Sequence, residues 1–80
     1  MIVHTDKYDT KRIVSNIRHM REVKNYTQLY LAETLGISQN AYSKIELAYT
    51  KITIDRLFKI AVVLEIEVES LLSNDLSDSK

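Results

Sequence analysis

The sequence predicts a small all-α domain, and three observations lead to this fold class. The 80 residues include no proline and a single glycine, and 45% of them are hydrophobic, so little in the chain would interrupt helices. Apolar residues recur at helical spacing through most of the chain. Two of these helical segments meet at the single glycine, Gly36. We therefore expect short helices packed around one small core.

The segment around Gly36 has the features of two helices joined by a tight turn. The core-facing stripe of the first helix comprises Leu31, Ala32 and Leu35. Thr27 can cap the start of this helix, and Ser38 can cap the start of the next one. Between them, Gly36 can take the left-handed conformation that commonly follows a helix end. Residues 27–46 are therefore predicted to form a helix-turn-helix.

The second of these helices, roughly residues 39–47, is predicted to have one polar and one apolar side. At about 100° per residue, the polar side comprises Gln39, Asn40, Ser43 and Lys44, and the apolar side comprises Ala41, Tyr42, Ile45 and Ala48. Amide, hydroxyl and ammonium groups can bond to base edges and phosphates in the major groove of DNA. An ordinary solvent-exposed helix can show the same pattern. The position after the turn favours DNA recognition.

Three further helices are predicted on either side of this motif. The first runs from Asp9 or Thr10 to about Lys24 and ends at Asn25, with Ile13, Ile17 and Met20 inward and Val14 beside them. The fourth follows Thr53, and its inward stripe comprises Ile54, Leu57, Ile60, Ala61 and Leu64. The fifth starts near Glu67 and contributes Val68, Leu71 and Leu72.

In this order, the segments resemble the Cro and phage-repressor type of helix-turn-helix domain, also called the XRE family. The resemblance rests on TQLYLAETLGISQNAYSKIE, on the upstream positions Ile13, Ile17, Arg18, Met20 and Arg21, and on TIDRLFKIAVVLEIEVESLL. It covers residues 11–72 and implies a compact five-helix, lambda repressor-like bundle. Residues 1–10 would then be an N-terminal arm, and residues 73–80 a polar acidic tail. The family usually has glycine at the positions of Ala48 and Glu65, and proline near Ile52 or Thr53.

Side-chain chemistry, the position of the flanking loop and the resemblance together suggest roles for individual residues. The residues expected to bind DNA, through bases or phosphates, are Gln28, Ser38, Gln39, Asn40, Ser43, Lys44, Thr50 and Lys51. In the family, the position of Gln28 holds a phosphate and steadies the first glutamine of the recognition helix. Arg21 and Glu46 match a family ion pair that would lock this helix against the rest of the domain.

The charge distribution is compatible with a nucleic-acid partner although the formal net charge is zero. Residues 1–60 contain ten Lys or Arg against six Asp or Glu, a net charge of +4, whereas residues 61–80 carry −4. Such asymmetry is expected when one face of a protein meets a polyanion. We therefore expect double-stranded DNA to be the partner of the basic part.

Two functions from different classes remain open. The first is a homodimeric, sequence-specific transcriptional regulator that reads a palindromic operator, and the second is an antitoxin-like or adaptor module that uses the same fold to bind another protein. The candidate dimer interface comprises Phe58, Val62 and Ile66, which could instead close the flank of the core. The polar side of the recognition helix favours the first function.

Enzymatic, metal-binding and membrane functions are not predicted. The chain has no cysteine, its two histidines have no partner at metal spacing, and it has no glycine-rich phosphate loop. We therefore expect neither catalytic residues nor a cofactor, and no small-molecule ligand is evident. No apolar run of signal-peptide or transmembrane length is present. These features predict a cytoplasmic protein.

Overall fold

Five helices follow one another in residues 10–73, the part of the chain that the computed structural model describes. They are α1 (Thr10–Val23), α2 (Gln28–Leu35), α3 (Gln39–Glu46), α4 (Ile54–Leu64) and α5 (Val68–Leu72). The predicted all-α, five-helix architecture is confirmed, with helix ends within about two residues of those expected. The predictions for the arm and the acidic tail fall almost entirely on residues 1–9 and 74–80, outside the described range.

Three hydroxyl side chains define where helices begin. Thr27, Ser38 and Thr53 each accept a hydrogen bond of 3.0 Å from the backbone amide three residues later. Each bond satisfies one of the amides that a helix start leaves without an intrahelical partner. The caps at Thr27 and Ser38 were predicted from the sequence, and the three caps together fix the starts of α2, α3 and α4.

Four of the helices are followed by a residue in the left-handed backbone conformation, and three of these four residues are not glycine. Gly36 after α2 has φ 75°, whereas Asn25, Ala48 and Glu65 have φ values of 62°, 61° and 59°. This conformation is unfavourable by about 1–2 kcal/mol for an L-residue with a Cβ atom, and least so for asparagine. Ala48 and Glu65 therefore keep the backbone conformation that glycine would adopt at these positions.

All five helices contribute to one core within the described residues. Its largest fully buried apolar side chains are Ile17, Leu31, Tyr42, Ile60, Leu64 and Leu71. The predicted inward residues Ile13, Met20 and Leu35 are partly buried against this core, whereas Val14, which was expected beside them, is buried within it. The expectation for Ile54 was wrong, since 71% of this residue is exposed. Ile54 is the first residue of α4 and lies about 70° from the middle of the buried stripe, on the side of Phe58.

A buried asparagine that the sequence did not reveal joins the two ends of the domain. Asn16 on α1 is fully buried, and its Nδ2 donates hydrogen bonds of 2.9 Å to the backbone oxygens of Leu71 and Ser73. The last carbonyls of a helix have no intrahelical donor, so Asn16 supplies one for the end of α5.

None of the helices in the described residues is long and apolar enough to span a membrane.

The left-handed conformation of Glu65 after α4 predicts that replacing an exposed glutamate by glycine stabilises the fold at this position and destabilises it within a helix. Glu65→Gly should raise the free energy of unfolding by about 1 kcal/mol, because glycine adopts positive φ without the Cβ penalty. Glu33→Gly, within α2, should lower it by about 0.5–1 kcal/mol, because glycine is a poor helix former. Both substitutions remove one exposed carboxylate, so charge effects match. Urea unfolding measures both, and a Glu65→Gly variant that is less stable than the parent would contradict the assignment of strain.

Candidate nucleic-acid interface

The turn between α2 and α3 is held by backbone hydrogen bonds around Gly36. The amide of Gly36 donates to the carbonyl of Glu33 at 3.1 Å, and that of Ile37 donates to the carbonyl of Ala32 at 2.9 Å. This is the pattern of a helix end closed by a left-handed residue. The turn is therefore short and closed by two backbone hydrogen bonds, and it fixes the angle between α2 and α3.

Helix α3 has a buried and an exposed side, largely as its sequence predicts. Tyr42 and Ile45 are buried, whereas Gln39, Asn40 and Lys44 are exposed. Ser43 is half-buried at the boundary between the two sides, and so is Ala48 beyond the helix end. Ala41 was predicted to pack inward, but it is exposed. At about 100° per residue, Ala41 lies about 70° from the middle of the buried pair Tyr42 and Ile45. It lines the groove on the same side as Lys44.

A groove of about 320 Å³ lies between the exposed side of α3, the loop after α3 and the start of α4. Five of the eight predicted DNA-binding residues line it, namely Ser38, Asn40, Lys44, Thr50 and Lys51. Ala41 and Arg56 also line it. The residues that line the groove include three cations, Lys44, Lys51 and Arg56, and no carboxylate. Its electrostatic character therefore suits an anionic partner.

The other three predicted DNA-binding residues lie outside this groove. Gln39 is exposed at the start of α3, Ser43 is half-buried, and Gln28 is half-buried at the start of α2. The Nε2 atom of Gln28 donates a hydrogen bond of 3.1 Å to Oε1 of Glu46. A primary amide has a second N–H and a carbonyl oxygen that this bond does not use.

Arg21 and Glu46, the ion pair implied by the resemblance, lie in direct contact. Arg21 Nε donates to Glu46 Oε2 at 2.7 Å, and Arg21 Nη2 donates to Oε1 at 3.1 Å. Their side chains are only 11% and 2% exposed. Tyr42 Oη adds a 2.6 Å hydrogen bond to Oε2, and Arg21 Nη1 donates to the backbone oxygen of Tyr26 at 2.9 Å. The pair is therefore bidentate, buried and hydrogen-bonded on both sides.

The ionisation of this cluster follows from its contacts. Burial opposes ionisation of Glu46, but hydrogen bonds from Arg21, Tyr42 and Gln28 outweigh it and hold the pKa of its carboxyl below the ordinary value. The hydrogen bond to Glu46 likewise raises the pKa of the Arg21 guanidinium. Burial, followed by the bond to Glu46, raises the pKa of the Tyr42 hydroxyl. At neutral pH the cluster thus contains one carboxylate, one guanidinium and a protonated tyrosine.

Arg56 is the groove residue that the sequence-based set did not include. It lies in the first turn of α4, three residues after the capping Thr53. The available signal was weak, because a basic residue at a helix start is commonly just solvent-exposed. Only the folded loop between α3 and α4 brings Arg56 beside Asn40 and Lys44.

Comparison with known proteins agrees with this geometry. The HTH_3 helix-turn-helix family model matches residues 17–71, more than half of the chain. The cryptic phage CTXphi transcriptional repressor RstR of Vibrio cholerae serotype O1 is 33% identical over 67 residues, which cover 84% of this chain and 60% of that repressor. The chain thus spans less than two thirds of the length of this relative. There is no significant match among solved structures. The chain belongs to the HTH_3 family, the XRE or Cro type of DNA-binding transcription regulators, which is not a family of enzymes.

Proposed function

We propose that this chain is a repressor-like transcriptional regulator that binds a palindromic operator as a homodimer. One observation carries this proposal: the exposed polar side of α3 opens on a groove lined by three cations and no carboxylate. A helix fits the major groove of B-DNA, and cations beside it would meet the phosphates that flank the groove. The similarity to a phage transcriptional repressor supports repression as the regulatory outcome.

Base reading is assigned to the first turns of α3. Gln39 and Asn40 are exposed at its start, and each amide can bond bidentately to an adenine. Lys44, one turn later, can reach guanine or a phosphate oxygen. The buried Tyr42 and Ile45 hold the opposite side of the helix in the core. The reading side chains thus project from a fixed helix.

Phosphate contacts are assigned to residues around the recognition helix. Ser38 and Ser43 belong to α3 or its cap, and Thr50 and Lys51 belong to the loop that follows. Such contacts set the position of a protein on DNA without reading its sequence. Gln28 would use its second amide N–H for a phosphate while the first remains on Glu46.

Dimerisation is assigned to an exposed apolar stripe on α4. Phe58 and Val62 are 52% and 75% exposed, and Ile54 precedes them at the same four-residue spacing with 71% exposure. Ile66, the third predicted interface residue, is half-buried and packs against the core. The stripe therefore extends toward Ile54 more than toward Ile66. Two-fold pairing would place two recognition helices on half-sites about 34 Å apart.

The same stripe keeps a second candidate function open, an antitoxin-like or adaptor module that binds another protein. Exposed apolar residues in a row suit a protein partner. This function would not need the cationic groove beside α3, so DNA binding accounts for more of the surface. The two functions differ in whether the purified chain selects a DNA sequence.

The assigned base and phosphate contacts predict different effects for substitutions of Gln39 on α3 and of Lys51 in the loop after α3, measured on a duplex selected from a random library and on a random duplex. Gln39→Ala should lose about 1–3 kcal/mol of discrimination between the two duplexes, because a base contact is lost. Lys51→Ala should weaken both complexes equally and flatten the salt slope by about one, because a phosphate contact is lost. Fluorescence anisotropy at several salt concentrations measures both. A Gln39→Ala variant as selective as the parent would contradict the assignment.

The dimer predicts that a charge on the stripe separates the two copies. Val62→Glu should sediment as a monomer and bind the selected duplex more weakly, while its circular dichroism stays helical, because a buried carboxylate would lack a partner. Val23→Glu is the matched control, since Val23 is 60% exposed and belongs to α1 rather than to the stripe on α4. It should sediment like the parent. A parent that binds one half-site as a monomer with full affinity would rule out the homodimer.

A further inference from the structure

Arg56 is fixed by its backbone but not by its guanidinium group. Its amide donates to Oγ1 of Thr53 at 3.0 Å, which sets the first turn of α4. Its Nη1 atom, in contrast, is buried and has no hydrogen-bond partner among the described residues. A charged N–H group held away from water without an acceptor is unfavourable. The guanidinium would gain if an acceptor entered beside it.

The surroundings of Arg56 specify the kind of acceptor. The groove that Arg56 lines also contains Lys44 and Lys51, and no carboxylate lines it. The adjacent Asp55 does not line the groove, and its carboxylate contacts Lys59 Nζ at 3.2 Å. Three cations without a carboxylate in the lining make the electrostatic potential of the groove positive, which favours an anion. Because these cations carry several N–H donors, an anion with several oxygens fits best.

We propose that Arg56 binds a phosphodiester group of the DNA backbone in the groove between α3 and α4. This inference rests on the proposed DNA binding and adds to it a residue outside the predicted set. A guanidinium presents two parallel N–H groups to two oxygens of one phosphate, which a lysine ammonium cannot do. Arg56 thereby clamps the backbone at the edge of the major groove into which α3 inserts.

The clamp gives Arg56 a positioning role on DNA. Lys44 approaches the same groove from α3, and Lys51 approaches it from the loop. A phosphate held by Arg56 would therefore fix the position of α3 in the major groove of the DNA. Because every sequence has the same backbone, the contact adds affinity without sequence preference.

The test measures affinity against salt for the parent, Arg56→Gln, Arg56→Lys and Lys59→Gln, on a selected duplex and on a random duplex. Arg56→Gln should weaken binding to both by the same factor, about tenfold, and reduce the slope of log affinity against log salt by about one. Arg56→Lys should keep the slope and lose part of the affinity. Lys59→Gln removes an equal charge from the exposed side of α4 and should change the slope least.

A second measurement locates the phosphate. Neutral methylphosphonate linkages, placed one at a time along the selected duplex, should include one that weakens the parent but does not further weaken Arg56→Gln. If every linkage that weakens the parent weakens Arg56→Gln by the same factor, the clamp is wrong. If no single linkage weakens the parent, the clamp is also wrong, and this result does not depend on whether the substituted proteins fold.

The outcomes separate this inference from the proposed function. If the parent binds a selected duplex and Arg56→Gln retains its full salt slope, the inference is wrong and the proposed function stands. A lower melting temperature with an unchanged slope would make Arg56 a residue of the fold only. If the parent selects no duplex at all, the proposed function and the inference both fail.

Discussion

The orientation of the recognition helix, α3, depends on the hydrogen bonds that the carboxylate of Glu46 accepts. This carboxylate belongs to the last residue of α3, and it receives hydrogen bonds from Arg21 on α1 and Gln28 on α2, and from Tyr42 on α3 itself. A buried charge destabilises a fold unless it is paired and hydrogen-bonded, so these bonds hold only when all three helices lie in register. The exposed side of α3 faces outward at a fixed angle as a result.

Directional contacts of this kind complement a small apolar core. Hydrophobic burial is non-directional, and a domain of this size has little of it. Asn16, five residues before Arg21 on α1, joins α1 to the last turn of α5. Hydroxyl caps and left-handed residues then set where the helices between these points begin and end. The position of the groove beside α3 follows from this frame.

Local features of the fold could be predicted from the sequence, and features made by distant residues could not. Helical periodicity, the capping hydroxyls and Gly36 are encoded within a few residues, so the five helices were foreseen. The exposure of Ile54 and the buried bonds of Asn16 depend on how far a helix projects and on what lies opposite, which periodicity does not report. The contact between Arg21 and Glu46 was reached only through a family resemblance. Arg56 joined the groove only in the folded loop.

The pH dependence of stability tests the role of Glu46 most directly. The pKa of its carboxyl is lowered in the folded state, so its stabilising contribution is fully present above the unfolded value of about 4.3 and is lost as pH falls through the folded value. In urea unfolding with a stabilising osmolyte present, the free energy of unfolding of the parent at pH 7 should be about 3 kcal/mol higher than that of Glu46→Gln. This difference should shrink steadily as the pH falls below about 4.3. Equal stability of the two proteins at pH 7, or a difference that stays constant down to pH 2, would contradict the account.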